Sequence, residues 1–68
     1  RLRYMQGEVE MTWDKQAGTL CVEFRPDRAA EVKVLLPEKW AEGLRYEDGT
    51  SFVNGSVLKL DHVVRMQR

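Results

Sequence analysis

Few side chains in this sequence have the chemistry to make or break a bond. His62 is the one histidine and Cys21 the one cysteine. Only an unperturbed imidazole changes charge near neutral pH, so His62 is the sole candidate general base. A nucleophile would have to be Cys21, Ser51, Ser56 or a threonine, and Asp61 is the acid placed to orient the base. The spacing argues against that set. Asp61 and His62 are adjacent, and neighbours on a strand point to opposite faces. The acid is therefore expected to face away, leaving His62 as a half-buried, hydrogen-bonded member of an apolar face. Glu8 and Glu10 are two apart, which on a strand puts them on one side at about 7 Å, a separation used by glycosidase carboxylates. Those pairs come from different elements around a deep cleft, and a 68-residue chain has little room for one. The two glutamates read as part of a solvated face. Glu23 beside Cys21 raises rather than lowers a thiol pKa, which argues against a reactive thiolate.

One histidine and one cysteine cannot furnish the usual nitrogen and sulfur ligands of a zinc site. The five glycines stand singly, at 7, 18, 43, 49 and 55, and none builds a phosphate loop. The sequence thus predicts no catalytic residue, no metal and no cofactor. What remains is binding. Aromatic rings on a β-surface stack on bases or sugars. Arg3, Tyr4, Arg45, Tyr46 and Arg65, with Arg1, would form a basic–aromatic surface if the first and last strands are neighbours. Trp13 shares its register with Val9 and Met11 and is expected in the core instead.

The elements that would carry these residues alternate with a period of two. Met5, Val9, Met11 and Trp13 fall on one face, and Gln6, Glu8, Glu10 and Thr12 on the other. Leu2 and Tyr4 are in the opposite phase, which predicts a register shift or bulge near Gly7. After a polar loop from Asp14 to Gly18, Leu20, Val22 and Phe24 point inward, with Cys21, Glu23 and Arg25 outward. Pro26 and Asp27 end that run. A third run puts Val32, Val34 and Leu36 inward. The three read as an antiparallel meander with one wet face. Pro37 to Gly43 has proline at a first helical position and glycine at the end, which predicts one helical turn pinned by Trp40. Asp48-Gly49 and Asn54-Gly55 are hairpin turns. Val57 to Met66 reads as one long strand, with Leu58, Leu60, His62, Val64 and Met66 on its apolar side. The predicted core is Trp13, Leu20, Val22, Phe24, Val32, Val34, Leu36, Leu58 and Leu60.

The expected architecture is one all-β, mainly antiparallel domain over residues 1–68. It is a small sandwich or an SH3-like partly closed barrel of five to six strands, with a short helical turn near 37–43. Apolar residues are 43% and charged residues 32%, as in a folded chain. The 11 basic and 11 acidic side chains cancel, whereas a dedicated nucleic-acid binder carries a basic excess. No apolar run is long enough for a membrane-spanning helix, and no signal-peptide pattern is present. The chain opens on Arg1, so it reads as a processed product or a piece of something longer. A lone cysteine fits a reducing, cytoplasmic setting better than an oxidising one.

The stretch Gly7 to Pro37 reads Gly-x-Val-x-Met-x-Trp, a polar loop, Leu-x-Val-x-Phe, a Pro-Asp turn, then Ala-x-Val-x-Val-x-x-Pro. It resembles the opening hairpins of the C-terminal β-sandwich appended to bacterial α-L-rhamnosidase-like glycoside hydrolases. The shorter strand at Phe24-Arg25-Pro26 and the extra tryptophan turn at Pro37 to Gly43 depart from that pattern. The resemblance implies an accessory module with no catalytic residues, serving packing, stability or weak sugar contact.

Three functions are therefore expected of this chain: a non-catalytic β domain acting by binding or self-association, an accessory module of a carbohydrate-active enzyme, or a small barrel contacting nucleic acid or peptide through the basic–aromatic surface. The first has a physical basis. A chain this short buries only about 60% of its unfolded surface, and neither disulfide nor metal reinforces it. Leu2, Leu35, Val53, Val57 and Val63 lie out of phase with the inward set and suggest a second buried face. A homodimer, or docking onto a parent domain, through that face or an open sheet edge is the expected assembly.

Overall fold

A computed structural model describes residues 2–68, and Arg1 lies outside the described residues. Alternation does its expected work first in the hairpins. β1 (Leu2–Tyr4) and β2 (Gly7–Asp14) pair antiparallel, with Tyr4 opposite Gly7, and β2 pairs with β3 (Thr19–Pro26) along its whole length. Glycine is required at position 7 by close approach: a Cβ there would lie 2.5 Å from the Arg25 carbonyl oxygen and 2.7 Å from the Tyr4 hydroxyl. The phase change near Gly7 is a turn at Met5 and Gln6, not a bulge. Met5 sits in that turn and is exposed, while Leu2, Tyr4 and Val9 share one face.

The third run does not continue the meander. β4 (Ala30–Lys33) leaves the sheet and pairs with β6 (Val57–Leu60), while β7 (Val64–Gln67) takes the place beside β3. The short β5 (Arg45–Tyr46) pairs with the other side of β7. The result is two antiparallel sheets, one ordered β1-β2-β3-β7-β5 and one ordered β4-β6. This is the open two-sheet form, not a closed barrel. Seven strands are described where five to six were expected, because the first and last runs each divide.

The last division matters most. The run from Val57 to Met66 is not one strand: the chain bends at Asp61 and His62, so β6 joins one sheet and β7 the other. Leu58 and Leu60 then face Val64 and Met66 across the core. Val22, Leu44, Leu60 and Met66 are almost wholly enclosed.

Leu20, Val22, Phe24, Val34, Leu58 and Leu60 are buried as expected, and Val32 and Leu36 are half-buried against them. Trp13 is not in the core; it is 47% exposed. β1 covers only the Gly7–Val9 part of β2, so beyond it β2 is itself the sheet edge and burial falls off. The Trp13 ring instead carries the Arg68 guanidinium, 5.5 Å from its centroid. Arg68 also donates to the carbonyls of Lys39 and Glu42, at 2.8 and 2.7 Å. It thereby ties the end of α1 (Glu38–Ala41) to the large sheet. Trp40 is not the anchor of that turn: it stays partly exposed, and Ala41 and Leu44 enter the core. Both turns form where expected, with Gly49 and Gly55 at positive φ, but only Asp48-Gly49 closes a hairpin, with Arg45 opposite Ser51; Asn54-Gly55 leads into β6, which pairs with β4 and not with the residues before the turn. Asn54 imitates a strand partner, accepting from the Leu36 N–H at 2.8 Å and donating to its carbonyl at 2.9 Å.

Phe24 is buried with the Tyr4 ring edge-on to it at 5.9 Å. Phe24→Ala is expected to cost about 3–5 kcal/mol, most of the stability of so small a domain. Trp13→Ala, at the half-exposed end of β2, should cost clearly less. Urea melts followed by circular dichroism test this ordering, and a reversed order would contradict the burial pattern.

Candidate functional site

The residues singled out as a binding surface do not form one patch. β1 and β5 are the opposite edges of the five-stranded sheet. Four strand spacings of about 4.8 Å put Arg3 and Tyr4 roughly 19 Å from Arg45 and Tyr46. The arginines and tyrosines also part by face. Tyr4 and Tyr46 lie in register with Gly7 and Met66 and turn inward, where their rings meet Phe24 and Phe52 edge-on at 5.9 and 6.3 Å. Burial pushes both phenols above their usual pKa, with Asp27 adding at Tyr4 and Asp48 at Tyr46. Arg3, Arg45 and Arg65 lie on the outer face. Adjacent strand residues cannot share a side, which is why Arg3 and Tyr4, and likewise Arg45 and Tyr46, separate.

Two of those arginines are already engaged. Arg3 pairs with Asp27 at 2.6 Å. Arg65 donates to one oxygen of Glu23 through Nε and Nη2 at 3.0 and 2.6 Å, while Arg25 donates to the other at 2.7 Å. Glu23 was expected on the wet face. It does point outward, but the two guanidiniums cover it and leave it 7% exposed. The hydrogen bonds from Arg65 and then Arg25 hold its carboxyl below the usual carboxylate range. Cys21 lies half-buried on the same face, opposite Thr12 and Gln67.

His62 departs from its expected place. Because the chain bends there, its side chain is 73% exposed, and Nδ1 lies 2.5 Å from Asp61 Oδ1. Alternation fails at a corner, so the adjacent acid does reach the imidazole. The bond holds the Asp61 carboxyl below its usual range. No hydroxyl or thiol hydrogen-bonds to His62 among the described residues, and no cluster of metal-ligating side chains occurs among them.

A cleft of about 540 Å³ lies between the sheets. Val57, Leu58 and Lys59 of β6 line it, with Val64 and Arg65 of β7, Tyr46 to Asp48 and Thr50 from the β5 hairpin, and His62 and Val63 from the corner. Asp48 is fixed there by the Thr50 hydroxyl and N–H, at 2.7 and 2.9 Å, which lower its pKa. No β4 residue lines the cleft, so it runs along the side of β6 away from β4.

No strand pairs with that side of β6 among the described residues. The Val34 N–H donates to the Ser56 carbonyl, and Val32 and Ala30 lie opposite Leu58 and Leu60. Bonded pairs alternate along an antiparallel ladder, so the N–H and C=O groups of Val57 and Lys59 point into the cleft. On β7, Leu20 and Arg68 exchange both bonds, which turns the groups of Arg65 away from β3. They face the β5 hairpin instead, where Tyr46 lies opposite Met66 and the register brings Glu47 next to Arg65. One short unpaired edge, that of β6, thus borders the cleft, flanked by Val57 and Val63, which are 62% and 52% exposed. Sequence reasoning marked those two valines but not the cleft, which exists only because the last run divides. No family model, curated protein or solved structure matches the chain.

The Glu23 geometry fixes the sign of a pH effect. Its folded pKa is depressed, so its stabilisation is complete above the unfolded value of about 4.3 and is lost as pH falls through the lower folded value. Glu23→Gln should therefore lower the melting temperature at pH 7, and the difference from the parent chain should shrink below about pH 4. Thermal melts from pH 7 to 2.5 measure it; a difference that does not change with pH would contradict the charge-based account.

Proposed function

We propose that this chain is a non-catalytic β module that works by association, its open seam accepting an extended strand of polypeptide. The observation that supports this is the unpaired ladder of Val57 and Lys59 along a cleft flanked by exposed valines. Alternating N–H and C=O groups at strand spacing match a polypeptide backbone, and an unpaired strand edge is a template for another strand. Stacking on bases or sugars has less support, because Tyr4 and Tyr46 turn inward and Arg3 and Arg65 are held by carboxylates. No described helix is long and apolar enough to cross a membrane.

The likeness to the accessory sandwiches of rhamnosidase-like hydrolases suits the same reading, since such a module would pack against a parent domain. The residues that carry that likeness build β2, β3 and β4. The seam is built by residues 46–65, outside them, so it is argued from its own geometry.

Peptides selected from a random display library for binding to the folded chain test the reading. Binders are expected to carry alternating apolar residues and to shift the amide resonances of Val57, Lys59 and Arg65. Val57→Lys combined with Val63→Lys, both at exposed positions, should leave the fold intact and abolish binding. Selection that yields no binders, or binders that leave those amides unmoved, would overturn it.

A further inference from the structure

Resting on that reading of the seam, we infer that the segment it takes up is an antiparallel strand whose sequence runs acidic, basic, β-branched, lying in turn opposite Lys59, Leu58 and Val57. Main-chain bonds to a strand edge give affinity, and the side chains beside that edge choose the sequence. Val57, Leu58 and Lys59 are consecutive, lie within β6 and line the cleft. Every strand pair among the described residues is antiparallel, and that ladder is the more stable per residue. The alternation of β6 sets that of its partner. Val57 and Lys59 are exposed on the outer face of the small sheet, and Leu58 is buried on the inner face. The residues opposite Val57 and Lys59 therefore stay outside, and the one between them enters the cleft.

The two positions ask for opposite charges. On the outer face, Lys59 lies opposite Glu31 of β4 but forms no ion pair among the described residues. An acidic residue on its open side gains a partner without displacing one. Val57 offers an exposed apolar surface to a β-branched neighbour. Inside the cleft the sign reverses. Tyr46 and Val64 line it, half-buried and packed against the core. Asp48 borders it, and its carboxyl is held below the usual range by the Thr50 hydroxyl and N–H. Its charge raises the pKa of the Tyr46 phenol, after burial. Glu47 on the same wall acts on Arg65, whereas Asp48 has no ion pair among the described residues. A lysine or arginine entering the cleft covers Tyr46 and Val64 with its alkyl stem and carries its charge to Asp48. The exchanged order, basic outside and acidic inside, sets like charges together at both positions.

Fluorescence anisotropy with labelled synthetic peptides tests the inference. Thr-Thr-Glu-Lys-Val-Thr-Val carries the inferred order, and Thr-Thr-Lys-Glu-Val-Thr-Val has the same composition with its charges exchanged. The first is expected to bind roughly tenfold more tightly than the second and to shift the amide resonances of Val57 and Lys59. Lys59→Glu should remove most of that preference. Asp48→Asn, which keeps an acceptor for Thr50, should narrow it as well, with circular dichroism confirming that both variants are folded. Equal binding of the two peptides overturns the inference and leaves the strand-accepting seam standing, as does a preference that survives both substitutions. Binding of selected library peptides at Val57 and Lys59, but of neither synthetic one, has the same meaning. Failure of these and of every library peptide defeats both readings. A chain that sediments as a dimer and loses peptide binding as it dimerises places a second copy in the seam and also overturns the inference.

Discussion

One alternating run supplies both walls of the core, because the chain turns a corner between Leu60 and Val64. Before the corner, Leu58 and Leu60 hang from the small sheet; after it, Val64 and Met66 hang from the large one. Had the run stayed straight, those side chains would lie on one surface with nothing to cover them. The bend lets two thin sheets share a single buried cluster, into which Val22, Phe24, Leu44 and Phe52 are packed. For so short a chain this is the central constraint, since burying apolar surface is the main favourable term available to it.

The same corner has two side effects. It brings Asp61 to the His62 imidazole, a contact that a straight strand forbids. It also leaves β6 with its far edge unpaired, because the strand next to it in sequence has gone to the other sheet. The open seam is thus the structural counterpart of the shared core: two sheets joined through side chains and not through a continuous hydrogen-bonded ladder. Whatever covers the seam would complete in backbone what the corner interrupts.

On the opposite surface the large sheet is organised by charge. Glu23 is taken out of water only because two guanidiniums replace its hydration, one from its own strand and one from β7. A carboxylate so enclosed without them would be costly. The contact also joins β3 to β7, strands more than 40 positions apart in the chain, so it contributes to the register of the sheet as well as to its surface. With Arg3 tied to Asp27, much of the basic character of that face is neutralised within the chain.

The sequence by itself determined the class of fold, the tight turns and most of the core, because these depend on short-range rules. Alternation sorts Leu20, Val22 and Phe24 from Cys21, Glu23 and Arg25 whatever lies beyond them, and Asp48-Gly49 and Asn54-Gly55 mark turns by their own backbone preferences. It also marked Val57 and Val63 as apolar residues without a place in the core. The tertiary structure decided the rest. Trp13 is uncovered because β1 stops short, Glu23 is covered because Arg65 arrives from β7, and the candidate tyrosines and arginines separate because the first and fifth strands are opposite edges. The seam itself depends on which strand pairs with which, and pairing between distant strands is set by how the sheets share one core, information that no local pattern of residues contains.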